Sequence, residues 1–335
     1  MKLTKLFATA GILAALTTSS LFAKKAASNE NKLKVVATIF PEYDWAREII
    51  GEKSGDVELT LLLNNGVDLH SYQPSVKDIA KISESDIFIY VGGESDEWVD
   101  DVLKSAKKPN MKVINLLELL GDKVKEEEVV EGMQEEDDDD GHEHHHDGDN
   151  DDDDGEIEYD EHVWLSLKNT QILCTEIASA LSEKDAKNAA VYQKNLSAYN
   201  KKLADLDARY SAAVKAGSKN TLLFGDRFPF RYLVDDYGLK YYAAFVGCSA
   251  ESEASFKTIV FLSEKVNELG LQAVCQIESG NGKIAKTVIS NSKNKKAKML
   301  TFDSLQSTTA KQIKKGATYL GAMEKNLEVL KEALK

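Results

Sequence analysis

EKDAKNAAVYQKNLSAYNKKLADLDARYSAAVKA, residues 183–216, contains no proline and no glycine. Within it Ala189, Tyr192, Leu196, Tyr199, Leu203, Leu206 and Tyr210 recur in steps of three and four, the spacing that lines one face of an α-helix. No turn residue interrupts the run, which favours one continuous helix over a hairpin of two. At 1.5 Å per residue about 30 helical residues span about 45 Å, enough to cross a whole domain. A linking helix over residues 183–217 is therefore expected between two separate bodies of chain.

Each flank alternates strand and helix. Upstream, LKVVAT (33–38), VELTLLL (57–63), DIFIYVG (86–92) and MKVINL (111–116) read as buried strands. Helical segments fall between them at 41–51, 74–83 and 96–106, the first two opened by Pro41 and Pro74, and a further helix is expected over 168–181. Downstream, TLLFG (221–225), LKYYAAFV (239–246), LQAVCQI (271–277) and KMLTF (298–302) alternate with helices at 228–237, 254–269, 281–291 and 310–334. Strand–helix alternation of this kind builds parallel sheets. The expected fold class is α/β, with two lobes, each a four-stranded parallel β-sheet with flanking helices, joined by one long rigid helix. The lobes are placed at 33–182 and 218–335.

The N-terminus, MKLTKLFATAGILAALTTSSLFAKKAAS, has a positive start at Lys2 and Lys5, an apolar stretch Leu6 to Leu16, and small residues before Ala23. That is the pattern of a secretory signal peptide, expected at 1–23 and followed by a linker at 24–32. No cysteine lies near the cleavage region, so a lipid anchor is not expected there, and a periplasmic location fits. The cysteines are Cys174, Cys248 and Cys275. An odd number leaves at least one unpaired in a monomer. Cys174 reads as a core residue of a helix, whereas Cys248 and Cys275, at or near strands of one lobe, are candidates to pair.

The formal charge of −14 is unevenly spread. Residues 126–161 hold 21 of the 56 acidic residues and no basic one, leaving 35 acidic against 42 basic elsewhere. Residues 135–154 read EEDDDDGHEHHHDGDNDDDD, carrying His142, His144, His145 and His146, four of the six histidines. So polar a run cannot bury enough apolar surface to fold, so a disordered loop over 126–160 is expected. Imidazoles among carboxylates suit divalent metal, zinc first by ligand type, at an accessory, weakly ordered site. Clustered aspartate argues against nucleic acid as a partner.

In open α/β sheets, ligands sit beyond the carboxyl ends of strands. Four polar residues occupy such places: His70 in NNGVDLHSYQPS, His162 in YDEHVWLSLKN, Asp226 in LLFGDRF and Asp303 in TFDSL. Two imidazoles with carboxylates would make a zinc or manganese site.

These segments resemble a known family, the substrate-binding proteins of zinc and manganese ABC importers, the ZnuA-like group. GVDLHSYQPSVKDIAKISESDIFIYVG (66–92) is similar to its pattern GxDPHxYxPxPxDIxxxxxADxxxxNG, and DEHVWLSLKN (160–169) to DPHVWLDPxN. The acid–histidine loop lies where zinc-specific members carry theirs. The resemblance covers nearly all of the chain after the leader. It implies two lobes joined by a rigid helix, His70 and His162 as metal ligands, and a carboxylate at Asp303 that ligates metal or sits just outside it. It also implies zinc as cargo, with manganese or ferrous iron as alternatives, and a membrane permease as partner, with the protein acting as a monomer. Glu278 matches an acidic position read as orienting a ligand. Leu69 and Ser166–Leu167 depart from the family pattern without removing a donor. The third family ligand, a histidine or glutamate in segments such as xxSHDAFxYF, falls on Gly225 when LLFGDRFPFRYL is aligned at Phe228. Three replacements stay open: Asp226, water beside two imidazoles and Asp303, or a loop histidine. Arg227 could instead pair with Asp226.

No catalytic group is required by this reading, and the protein is not expected to be an enzyme. A zinc hydrolase would show an HExxH or GxSxG motif, and the chain has neither. A surface adhesin or a metal chaperone without a permease is the remaining class.

Overall fold

A computed structural model describes residues 32–106, 108–134, 158–249 and 253–335. The expected leader and the four loop histidines lie outside the described residues. The N-terminal lobe runs β1 (Leu33–Ala37), α1 (Phe40–Ile50), β2 (Val57–Leu61), α2 (Val76–Ser83), β3 (Ile87–Tyr90), α3 (Trp98–Lys104), β4 (Lys112–Asn115) and a short α4 (Leu116–Leu120). Its four strands are parallel in the order β2-β1-β3-β4. Then come α5 (Leu167–Lys184) and α6 (Ala189–Ala216). The C-terminal lobe runs β5 (Thr221–Phe228), α7 (Arg231–Tyr237), β6 (Lys240–Val246), α8 (Phe256–Glu268), β7 (Ala273–Ile277), α9 (Lys283–Asn291), β8 (Lys298–Phe302), α10 (Ala310–Lys314) and α11 (Tyr319–Ala333). Its sheet is also parallel, ordered β6-β5-β7-β8. No helix among the described residues is long and apolar enough to cross a membrane.

The long helix α6 has 28 residues, about 42 Å at 1.5 Å per residue. Tyr192, Leu196, Tyr199, Leu203, Leu206 and Tyr210 are all buried, as their spacing required. That stripe packs on α5, on α1 of the first lobe and on α11. The helix starts later than residue 183 because Asp185 breaks it. The Asp185 carboxylate accepts hydrogen bonds from Asn188 Nδ2 (2.7 Å) and Tyr192 Oη (2.6 Å), closing a turn between α5 and α6.

Two further boundaries differ from expectation. The final helix is not continuous over 310–334 but breaks at Gly316, whose φ is +92°. Ala317 N donates to Gln312 O (3.0 Å) and Gly316 N to Ile313 O (2.9 Å), a glycine-based helix stop. The chain then turns back to place Tyr319 N on Asp44 (2.6 Å) and the Tyr319 ring edge-on to Trp45. Secondly, residues 126–134 and 158–160 are ordered rather than part of an open loop. Glu126 and Tyr159 form an antiparallel bridge, Gln134 N donates to Ala244 O (3.0 Å), and Arg231 and Tyr241 take up Glu128. Backbone pairing and charge neutralisation hold these acidic margins to the C-terminal lobe.

Glu42 is fully buried at the start of α1. Its Oε2 accepts from Thr38 N (2.9 Å), Thr38 Oγ1 (3.1 Å) and Ile39 N (3.2 Å), while Oε1 has no partner. Burial, reinforced by the charge of Asp96 and opposed by those hydrogen bonds, pushes its carboxyl up to about 8 from 4.5. The folded state then holds a proton that the unfolded chain releases near 4.5. This contribution to stability is complete below pH 4.5 and is lost as pH rises through about 8. Urea unfolding of Glu42→Gln should show a shallower fall in stability across that window than the parent, and an unchanged fall would refute the assignment.

Candidate metal centre

His70 and His162 are held by different means at the same point between the lobes. His70 lies in a one-turn helix, Leu69–Ser71, whose start is capped by Asp68 Oδ1 accepting from His70 N (3.2 Å). Its Nδ1 is 2.7 Å from Ser95 Oγ and 3.4 Å from Glu161 Oε2. Glu161 Oε1 accepts from Ser95 N (2.9 Å), which fixes the carboxylate. Burial opposes ionisation of Glu161, but hydrogen bonds from His70 and Ser95, with the charge of His70 when its ring is protonated, outweigh it and hold the carboxyl below its ordinary value. His162 is fully buried. Asp160 Oδ1 accepts from both His162 N (2.8 Å) and His162 Nδ1 (2.9 Å), locking the ring.

The tautomer with the proton on Nδ1, directed at an oxygen, leaves a lone pair on Nε2 and is the form each imidazole must take to bind metal. Those two nitrogens face each other at 3.1 Å. Bare lone pairs at that distance repel, whereas a cation between them is attracted by both. Zinc–nitrogen bonds of about 2.0–2.1 Å in a tetrahedron set a nitrogen–nitrogen edge of about 3.3 Å. The carboxylate-backed imidazole is also the usual way a metal-binding histidine is oriented and made more basic. Cys248 is the third donor nearby: one ligand atom each from His70, His162 and Cys248 lies within 4.8 Å of the others. His70, Glu161 and Cys248 share the wall of a cavity of about 220 Å³ with Glu127 and Glu158.

The other candidates go elsewhere. Asp226 lies inside β5, not after it, and its Oδ2 accepts from Ile277 N (3.2 Å) and its Oδ1 from Arg227 N (3.0 Å). Burial pushes its carboxyl up against the pull of these hydrogen bonds. It lines a different cavity, with Arg227, Ser249 and Gly280, and is not among the clustered donors. Arg227 pairs with Asp68, not with Asp226. Asp303 accepts from Leu305 N (2.9 Å) and is likewise outside the cluster; burial, then the charge of Glu278, pushes its carboxyl up to about 6. Glu278 touches no donor of the cluster. It accepts from Ser304 N (2.7 Å), Ser304 Oγ (2.9 Å) and Ser307 Oγ (2.9 Å), holding the loop after β8. Within that loop Leu305 has φ +65°, the one left-handed non-glycine residue among those described. The next residue, Gln306, sits between Asp68 and His162. Oriented to donate to Asp68 (2.6 and 2.8 Å), its oxygen accepts from His162 Nε2 at 2.8 Å, a hydrogen bond that a metal on that nitrogen would displace.

All three cysteines are free, so the Cys248–Cys275 pairing does not form. Cys275 is buried in β7 opposite Phe224 of β5, while Cys248 turns toward the histidines. Asp160, Glu161, Ser95 and Gln306 were not singled out from sequence, although a carboxylate two residues before His162 was a readable signal for a ring-orienting partner.

A family model described as zinc-uptake complex component A, periplasmic (ZnuA) matches residues 35–333. This chain belongs to the ZnuA family. The High-affinity zinc uptake system protein ZnuA of Bacillus subtilis is 31% identical over 307 residues, covering 92% of this chain and 89% of that protein. Zinc-binding protein AdcA of Streptococcus pyogenes is 29% identical over 314 residues, which cover 90% of this chain and 56% of AdcA. The chain thus spans about half the length of the AdcA relatives it matches. Among solved structures, the Zn(II)-bound ZnuA-like domain of Streptococcus pneumoniae AdcA is similar, with a TM-score of 0.67 and 27% identity over 90% of this chain and 99% of that one. The family fold of two parallel sheets bridged by a long helix is therefore shared, and the opposed histidines of this family member sit between its lobes.

Proposed function

We propose that this chain is the periplasmic zinc-capturing component of an ABC importer. It holds Zn²⁺ as cargo between its lobes on His70 and His162 and surrenders it to a membrane permease. The observation that carries this reading is the pair of Nε2 atoms facing at 3.1 Å, each with its Nδ1 backed by oxygen. Zinc-binding relatives support it. No catalytic role is assigned to any residue. The residues 142–146 with their four histidines act as a tethered accessory that captures zinc weakly and raises its concentration near the cleft. The acidic cavity wall of Glu127, Glu158 and Glu161 beside His70 gives a cation an attractive approach.

Metal-stripped protein titrated with zinc against a chelator of known affinity should show one submicromolar site plus weaker binding. Deleting residues 135–154 should remove the weaker binding and leave the tight site. Absence of any submicromolar site in the intact chain would sink the proposal, and loss of the tight site on deletion would move a ligand into the loop.

A further inference from the structure

Position 225 is closed to any metal ligand in this chain. A Cβ built on Gly225 would lie 2.5 Å from Ala285 Cα and 2.6 Å from Ala285 N, both backbone atoms of α9. Asp226, the neighbouring carboxylate, is turned away onto Ile277 N and lies against Gly280, where an added Cβ would be 2.1 Å from its Oδ2. The sheet that would carry a third donor has been filled by a helix instead.

The opposite side of the site is built for a different donor. After β6 the chain turns through Gly247 and Cys248. A Cβ on Gly247 would meet His162 Cε1 at 2.9 Å and Nδ1 at 3.0 Å. Only glycine lets this backbone lie flat on the imidazole and bring the next side chain to its edge. Cys248 N is anchored on Glu127 Oε1 (3.3 Å), in the segment that bridges to Glu158. Three ligand atoms then converge within 4.8 Å. A tetrahedral zinc site needs about 3.3 Å between nitrogens and about 3.6 Å from nitrogen to sulfur, so from within 4.8 Å the sulfur must draw in by no more than about 1.2 Å. Glu161 Oε2 lies 3.4 Å from His70 Nδ1, backing the His70 ring from the side opposite its Nε2.

We propose that the Cys248 thiolate is the third protein ligand, replacing the one excluded at Gly225, and that it sets the preference of the site for zinc over manganese. This rests on the proposed zinc-binding function. The thiol proton leaves to solvent as the sulfur–zinc bond forms. A soft sulfur donor beside two imidazoles suits zinc, whereas manganese prefers oxygen and stands lowest in the order of affinities. Three protein donors leave one coordination position open, which suits a cargo that must leave again.

Cobalt(II) reports sulfur ligation directly through a thiolate-to-metal charge-transfer absorption in the near ultraviolet. Reduced protein loaded with one equivalent of cobalt should show that absorption, lose it when zinc is added, keep it in Cys275→Ser and lack it in Cys248→Ser. Cys248→Asp, which exchanges the soft sulfur for a harder oxygen donor, should lose zinc affinity by roughly 100-fold, while manganese affinity changes less than tenfold. Cobalt bound tightly by the parent protein without the charge-transfer absorption overturns the thiolate ligand and leaves the zinc reading standing, independently of how any variant folds. Failure of the parent to bind zinc or cobalt at all would instead remove the zinc reading and this proposal with it.

Discussion

His162→Ala is expected to reduce zinc affinity by about 1,000-fold, the share of one strong ligand in a site whose whole binding free energy is about 10–16 kcal/mol. The loss should be accompanied by lower stability of the metal-free protein. His162 is fully buried and its ring is the partner of the Asp160 carboxylate. Alanine would leave that carboxylate, itself 3% exposed, with the backbone N–H of residue 162 but without the imidazole N–H. Losing a hydrogen bond to a charged group costs about 1.5–3 kcal/mol. His70→Ala should lose affinity to a similar degree with little loss of stability, because His70 is only partly buried and lines the cavity. Chelator competition gives the affinities, and urea unfolding of stripped protein gives the stabilities. Either variant binding zinc within tenfold of the parent would remove that histidine from the ligand set.

Gly225→His, the substitution that restores the family's third ligand type at the aligned position, should destabilise the C-terminal lobe by about 3 kcal/mol without improving zinc affinity. The contact at 2.5 Å is with the Cα of Ala285, not with the end of a flexible side chain. Relief requires β5 and α9 to separate. Their interface is the smaller C-terminal core of Leu223, Phe245, Val274, Ala285 and Val288, where displacement opens gaps that close packing does not tolerate. Gly225→Ala should show much of the same loss. An unaltered unfolding midpoint with tighter zinc binding in Gly225→His would show that the position is open to a ligand after all.

Strand and helix periods were legible because each lobe buries its sheet on both sides. Ile87, Phe88 and Ile89 are fully buried and read as an unbroken apolar run, and the stripe from Tyr192 to Tyr210 announced α6. Less legible were the breaks. Asp185 and Gly316 end helices through contacts made by side chains and backbone several residues away. The acidic margins 126–134 and 158–160 looked unfoldable on composition alone. They are ordered because Arg231, Tyr241 and Ala244 of the other lobe receive them.

The two histidines stood out in sequence because imidazole is scarce outside residues 142–146 and each follows a strand or loop end. Their chemistry is local, since Asp68 and Asp160, each two residues upstream, cap or orient them. The alternation of elements, the linking helix and these two candidate ligands were therefore properties of short stretches of chain. The company the histidines keep is not. Cys248 lies 86 residues beyond His162 and Gln306 lies 144 beyond it, and no periodicity connects them. The packing of α9 against Gly225 and of the Gly247 backbone against the His162 ring decides which side chains lie beside the histidines. Steric exclusion between segments distant in sequence is a property of the folded lobes, and it leaves Cys248, not Asp226, beside the two histidines.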